Sequence, residues 1–324
     1  LAFCYILYMA KIGVVLATYN GEKYLSQMLD SLVAQTRKVD FIIAVDDGSK
    51  DNTPAILKSY QDRLPIKLTF LEKNSGHRAA FSKALELAQP QLCDNDLIAL
   101  ADQDDIWLPQ KIETLEKEIE SQKVSLVFGD AQVIDAQGNI IEQSWRKLGS
   151  IQKKLSLKSL LTGFTNVTGC MTLFRAELLK RLLPIPEGVP VHDQWIALCA
   201  SIENGIAAID KPVIQYRIHD QNAIGTGHTH TWTGNLKLNL QWAKTIQGAA
   251  IYNSLSAEEK KFLNRYISYI QARLEKPFIP SYLFWVIRNM HSIYPHISNC
   301  TKFIPVIAYG ILGAPIITRF GGKK

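Results

Sequence analysis

Leu97-Ile98-Ala99-Leu100-Ala101-Asp102-Gln103-Asp104-Asp105 is the stretch on which the fold turns. Its first five residues are apolar and read as a buried strand, and three carboxylates follow within four residues. Like charges this close repel, and burying them without a partner costs more still. Two readings are open. The run is a solvated acidic turn before a helix starting at Pro109, since acidic residues commonly cap helices. Alternatively, it gathers a hard divalent cation such as Mg2+ or Mn2+, which prefers oxygen ligands.

Upstream, Ile12 to Ala17 is a compact apolar run, broken by Thr18-Tyr19-Asn20-Gly21. Tyr24, Leu25, Met28, Leu29, Leu32 and Val33 then recur at helical spacing. Phe41 to Val45 reads as a second strand, ended by Asp46-Asp47-Gly48-Ser49. Thr53 reads as the cap of the next helix, with Pro54 in its first turn. Ile66 to Phe70 is a third strand, and a helix is predicted from about Gly76 to Ala88. Strands alternating with helices imply βαβ units, so the fold class is α/β, a Rossmann-like, mostly parallel sheet flanked by helices. Ligands in such sheets bind beyond the carboxyl ends of the strands. Thr18-Tyr19-Asn20, Asp46-Asp47, Asn74-Ser75-Gly76 and Asp102-Gln103-Asp104 all fall at that edge. Four polar loops on one edge point to one shared site.

Downstream the pattern is less regular. Ser125 to Phe128 reads as a strand ending at Gly129-Asp130, and a hairpin turn lies between Val133-Ile134 and Ile140-Ile141. Val167 to Phe174 reads as a strand, His192 to Ser201 as a helix, and Val213 to Ile218 as a strand before His219-Asp220. After Asn222 comes a Gly/Thr/His loop, in which His228 and His230 read as ordinary loop residues, and then helices, notably Ala257 to Leu274. The expected division is a non-core extension over 1–10, an α/β domain over 11–222 and a helical, basic region over 223–324. Residues 1–8 are read as lying upstream of an initiator Met9.

A hydrophobic content of 47% and a charged content of 20% describe an ordinary globular chain. The net charge of +6 is uneven: from Lys244 onward there are 11 Lys or Arg against 3 Asp or Glu. Charge alone lets such a region meet nucleic acid, an anionic membrane surface or an acidic partner, or be only a solvated helical face, the default; for the chain as a whole no nucleic-acid partner is expected. Phe303 to Thr318 is apolar but falls short of the ~18–20 residues that span a bilayer, so it is read as buried or interfacial. The five cysteines form no Cys-x-x-Cys pair, which suggests a reducing compartment and a cytoplasmic location. No Gly-x-Gly-x-x-Gly and no P-loop motif is present, which argues against dinucleotide binding and P-loop hydrolysis. Carboxylates at strand ends need a bridging metal to hold a diphosphate.

These motifs resemble the inverting nucleotide-sugar glycosyltransferases of family 2, which have the GT-A fold. The resemblance runs from about Lys11 to Asn222 in family order. It rests on Val15-Leu16-Ala17-Thr18-Tyr19-Asn20-Gly21, Val45-Asp46-Asp47-Gly48-Ser49, Asn74-Ser75-Gly76 with Ala80-Phe81-Ser82-Lys83-Ala84, Asp102-Gln103-Asp104, Gly169-Cys170 with His192-Asp193-Gln194-Trp195, and Tyr216-Arg217-Ile218-His219 with Asn222. It implies that Thr18, Asn20, Asp46, Asp47, Gly76, Asp102 and Arg217 bind the donor, with Arg217 offsetting phosphate charge or simply facing water. Asp104 with Asp102, and His219 as a further candidate, would hold Mg2+ or Mn2+. Asp193 would be the general base, with Trp195 and His192 beside the acceptor. His192 replaces the acidic residue that many members carry before the base, and it reads equally as a helix-start residue. Trp107 is read as core, and Asp105 as orienting the loop.

Gln194-Trp195 is only a fragment of the motif of processive synthases, since Leu198 stands where Arg is needed; single addition is expected. Leu-Ala-Thr-Tyr-Asn-Gly and Asp-Gln-Asp-Asp-Ile-Trp look most like bacterial polysaccharide rhamnosyltransferases, implying dTDP-L-rhamnose as donor and a glycan or lipid-linked saccharide as acceptor. Peripheral contact with the inner membrane face would go with such an acceptor. A UDP-hexose or UDP-HexNAc donor, a metal-dependent nucleotidyltransferase and a non-catalytic binding module are the competing readings.

Overall fold

The computed structural model describes residues 10–149, 156–220, 231–295 and 311–312. The chain forms two compact units that interleave along the sequence. The first comprises Leu1–Trp145, Thr168–Ile185 and Glu203–Arg217; the second comprises Arg146–Val167, Pro186–Ile202 and Ile218–Lys324.

The first unit is built on a nine-stranded sheet. Its strands are β1 (Ile12–Thr18), β2 (Phe41–Asp46), β3 (Ile66–Phe70), β4 (Leu97–Ala101), β5 (Ile106–Trp107), β6 (Leu126–Ile134), β7 (Ile140–Glu142), β8 (Thr172–Arg175) and β9 (Ile206–Arg217). The order is β3-β2-β1-β4-β8-β6-β9-β5, with β7 paired to β6. β3, β2, β1 and β4 are mutually parallel, as the alternating pattern predicts. β8 is antiparallel to both β4 and β6, whereas β6 and β9 are parallel. β2 and β4 are buried along their whole length, which is why they read as unbroken apolar runs and not as alternating ones. Helices Leu25–Val33, Thr53–Ser59 and His77–Ala88 return the chain between the parallel strands. Met28, Leu29 and Leu32 of the first of these join Ile12, Val14 and Leu16 in the core.

Several local expectations are corrected. Thr53 is not a cap: it lies inside its helix, and its Oγ1 accepts the Gly21 N–H at 2.7 Å. The helix expected from Pro109 begins at Lys111. Val167–Phe174 is not one strand, because Gly169–Met171 forms a 3-10 turn before β8. β6 does not stop at Gly129. A Cβ there would meet the Val213 methyls at 2.5 and 2.6 Å, so glycine lets β9 approach closely, and the β6–β9 register shifts around Asp130. β9 starts at Ile206, well before Val213, with Pro212 opposite Asp130 at that irregularity.

The second unit is helical. Its longest helices are Trp232–Gly248 and Ala257–Glu275, the latter opened by a capping box between Ser256 and Glu259. Helix His192–Ile202 belongs to this unit, where Trp195 packs edge-to-face on Trp242, with ring centroids 6.1 Å apart. The Trp242 Nε1–H donates to the Leu160 carbonyl at 2.8 Å and the Tyr266 hydroxyl to the Thr162 carbonyl at 3.0 Å. Among the described residues, no helix is long and apolar enough to cross a membrane, and Cys93, Cys170 and Cys199 are free thiols. The readings of residues 1–8, Asn222, His228, His230 and most of Phe303 to Thr318 fall outside the described residues.

Candidate active site

The carboxyl ends of β1, β2 and β3 are tied together by their own polar side chains. Thr18 closes β1 and its Oγ1 donates to Asp46 Oδ2 at 2.9 Å. Asp46 closes β2 and is buried; it also accepts the Ser49 N–H at 2.9 Å and the Ser49 hydroxyl at 2.5 Å. Asn20, at φ +48°, donates its N–H to Ser49 Oγ and accepts the Lys50 N–H, both at 2.8 Å. Asp47 reaches the third loop, accepting the Ser75 N–H at 2.7 Å and the Gly76 N–H at 2.8 Å. Gly76 caps helix His77–Ala88 at φ +88°, a conformation that favours glycine, and open space surrounds its Cβ position. Thr18, Asn20, Asp46, Asp47 and Gly76 are therefore joined into one lattice.

The acidic loop after β4 is braced to that lattice by Gln103, a residue that the sequence reading passed over. Its amide accepts the Tyr19 N–H at 2.8 Å and donates to the Tyr19 carbonyl at 3.0 Å. A Cβ on Gly21 would strike the same amide. The signal was its place between two carboxylates, where the side chain can turn toward the neighbouring loop.

Below the loop, the charge is balanced from inside the protein. Asp105 is buried, and its Oδ1 accepts the Arg217 N–H at 3.1 Å. Burial, with Asp104 and Asp102 alongside, pushes the Asp105 carboxyl well above the usual carboxylate range. Arg217, at the end of β9, is only 1% exposed. Its Nε–H donates to the Asp104 carbonyl at 2.9 Å, Nη1 to the Asp135 and Ala136 carbonyls at 3.3 and 3.4 Å, and Nη2 to Gln27 Oε1 at 2.7 Å. The guanidinium also lies 4.5 Å over the Tyr24 ring. The expectation that Arg217 offsets donor phosphate, or faces water, is corrected: its donors are spent on protein, and it holds the acidic loop in place.

Lys111 is a second buried cation. Its Nζ donates to the Cys170 carbonyl at 2.6 Å and sits 3.2 Å from the Trp107 ring centroid. Burial pulls the ammonium down to about 7, against the opposing pull of Cys170, Asp105 and Asp102. Trp107 is core, as expected.

Ligand atoms of Asp102, Asp105 and Cys170 lie within 4.8 Å of one another. Asp105 Oδ2 is buried and has no hydrogen-bond partner among the described residues. Asp102 and the orphaned oxygen of Asp105 fit a hard divalent cation, the Cys170 thiol does not suit one, and Asp104, expected as the metal ligand, is not a member of this group. Asp102 and Asp104 are the half-buried members at the strand end, and Asp105 is the one turned to hold backbone.

The remaining sequence-predicted residues belong to the second unit. Asp193 is half-buried in the first turn of helix His192–Ile202, where the helix dipole favours an anion. His192 is buried, which fits a helix-start role. Trp195 is corrected: it is buried against Trp242, so its face is not available for an acceptor sugar. His219 is half-buried, two residues past β9.

The profile of glycosyl transferase family 2 matches residues 13–183. An uncharacterised glycosyltransferase of Nostoc sp. is 28% identical over 222 residues, which is 65% of this chain and 66%, just under two thirds, of that protein. Among solved structures, S. aureus TarS in complex with UDP-GlcNAc matches with a TM-score of 0.59 at 19% identity, over 93% of this chain and 84% of that one. The mannosyltransferase PcManGT of Pyrobaculum calidifontis, in complex with GDP-Man and Mn2+, matches with a TM-score of 0.53 at 18% identity, over 98% of this chain and 89% of that one. These likenesses show the GT-A fold. The matched residues span more than half of the chain and contain all four strand-end loops: the chain belongs to glycosyl transferase family 2.

Proposed function

We propose that this chain transfers a sugar from a nucleoside diphosphate donor to a hydroxyl of a glycan or lipid-linked acceptor, with inversion at the anomeric carbon. L-Rhamnose from dTDP-L-rhamnose is the first donor to test, and a UDP-hexose or UDP-HexNAc is the second. The observation that carries the reading is the hydrogen-bonded lattice at the carboxyl edge, which gathers Thr18, Asn20, Asp46, Asp47 and the Asp102–Asp105 loop around one place. UDP-GlcNAc and GDP-Man in the two fold neighbours support a nucleoside diphosphate sugar as the donor class.

In this mechanism Asp193 takes the acceptor hydroxyl proton as that oxygen attacks the anomeric carbon. The bond from that carbon to the diphosphate oxygen breaks with its electron pair, and the nucleoside diphosphate departs from the opposite face. A positioned carboxylate base is worth roughly 10²–10⁴-fold in rate. Asp102 and Asp104 would hold Mg2+ or Mn2+, with His219 as a further candidate ligand, and the cation when bound stabilises developing diphosphate charge as a Lewis acid. Arg217 and Gln103 keep the acidic loop in register with the nucleotide loops. The reaction would run on the cytoplasmic side, where nucleotide sugars are made.

The test is release of dTDP or UDP from a panel of nucleotide sugars with Mg2+ or Mn2+. Asp104→Ala and Asp193→Asn should each lower turnover by at least ~100-fold, with the urea midpoint retained. Wild-type turnover in either variant overturns the mechanism, and pyrophosphate as product overturns sugar transfer in favour of nucleotidyl transfer.

A further inference from the structure

The second unit carries apolar side chains that the packing among the described residues leaves uncovered. Phe284 is 84% exposed, and Phe278 and Ile287 are exposed beside it in the chain. Helix Leu283–Arg288 is nevertheless firmly seated. Val286 is buried, and the Trp285 ring lies 5.7 Å from Phe262 and 5.4 Å from Tyr269. Tyr282 packs 5.5 Å from Tyr269. Phe284 and Ile287, three residues apart, share the face turned away from that aromatic cluster. A seated helix that projects Phe and Ile outward is a built surface, not a frayed end.

Charge says what the surface suits. Glu275 is the last acidic residue of the chain; Lys276, Arg288, Lys302, Arg319, Lys323 and Lys324 follow it. Lys276 and Arg288 are exposed. Exposed Arg265 lays its guanidinium 4.3 Å over the Tyr282 ring, and exposed Lys261 stands one turn before it. Of the acids on the preceding helix, Glu258 accepts from Lys158 at 2.6 Å and also feels the charge of Arg288, Glu259 closes the capping box, and Glu275 is exposed beside Lys276. Projecting apolar side chains, aromatic rings and exposed cations that outnumber the neighbouring acids together suit the boundary between lipid headgroups and acyl chains.

We infer that Phe284 and Ile287, flanked by Phe278, Lys276 and Arg288, form a docking surface for an anionic lipid bilayer. The apolar pair enters the headgroup–acyl boundary while the cations meet lipid phosphates. The inference deepens the lipid-linked acceptor reading on which it rests for its purpose. Its test needs neither donor nor acceptor, so the two readings fail separately.

The full chain is co-sedimented with vesicles of phosphatidylglycerol and phosphatidylcholine, and with vesicles of phosphatidylcholine alone. Partitioning to the anionic vesicles should be at least ~10-fold stronger and should weaken as salt rises. The double variant Phe284→Ser/Ile287→Ser should lose at least ~10-fold, given the area that two such side chains bury. Lys276→Glu should weaken anionic binding alone. An unchanged urea midpoint serves as the fold control, since these positions are exposed. Failure of the wild type to bind, equal binding to neutral vesicles, or unaltered binding of the double variant overturns the inference. So does a wild-type dimer by light scattering that the double variant abolishes, because the surface would then mate with a second copy of the chain.

Discussion

Two buried cations, Lys111 and Arg217, stand under three carboxylates, and they do different work. Arg217 acts through geometry, with its guanidinium shared among the Asp104, Asp135 and Ala136 carbonyls and Gln27. Lys111 carries a desolvation cost that shows in its lowered value of about 7. An unfolded lysine titrates near ~10.4. Between about 7 and about 10 the unfolded chain therefore holds more protons than the folded one, and the share of stability due to Lys111 rises with pH. Below about 7 both states are protonated and the full cost is present. Lys111→Met removes that dependence, together with the hydrogen bond to the Cys170 carbonyl, a loss of about 1 kcal/mol that does not vary with pH. Urea unfolding should therefore show the wild type gaining on the Met variant by about 2 kcal/mol from about pH 7 to 9. Parallel stability profiles for the two proteins would show that Lys111 does not titrate in this window.

At the level of elements, the β6–β9 pair is a part of the sheet with a tight packing demand. Gly129 faces the Val213 methyls with no room for a side chain. Gly129→Ala should cost about 1–3 kcal/mol by overpacking, read as a lower urea midpoint. Val213→Ala alone should also destabilise, but in the Gly129→Ala background it should recover part of the loss, giving a coupling energy in a double-mutant cycle. Strict additivity would place the strain elsewhere. The same pair explains what was legible in the chain. β1, β2 and β4 announce themselves as apolar runs closed by a polar loop, and β3 as a short strand of alternating apolar and polar residues. β6 and β9 hide because a glycine read as a stop is a close-approach site, and because β9, expected only from Val213, already runs through Asp210-Lys211-Pro212 at a shift in register. Pairing partners, which no local window contains, decide both cases.

Across the whole molecule, the sequence order of the motifs conceals how they are distributed. The four strand-end loops fall in one unit, while Asp193, His192, Trp195 and His219 fall in the other, drawn there by chain crossings that no composition shift marks. Residue types at strand ends were legible because they sit where a parallel sheet puts its ligands. The bracing was not: Gln103 to Tyr19, Asp47 to Ser75 and Gly76, and Arg217 to the acidic loop are long-range bonds between residues that look like filler or like ligand contacts. That bracing has a consequence for the response to donor. Loops joined in one lattice should stiffen together when a nucleoside diphosphate binds any of them. Adding UDP or dTDP with Mn2+ at about 100 times its dissociation constant should stabilise the protein by ~2.7 kcal/mol. Hydrogen exchange should then slow jointly in residues 18–22, 46–52, 74–77 and 102–105, and omitting Mn2+ should remove most of the effect. Gln103→Ala cuts one tie between the acidic loop and the Tyr19 loop, so protection of 102–105 should weaken more than protection of 46–52 and 74–77. Protection limited to a single loop, or found only in the second unit, would mean that the carboxyl edge is not one shared site.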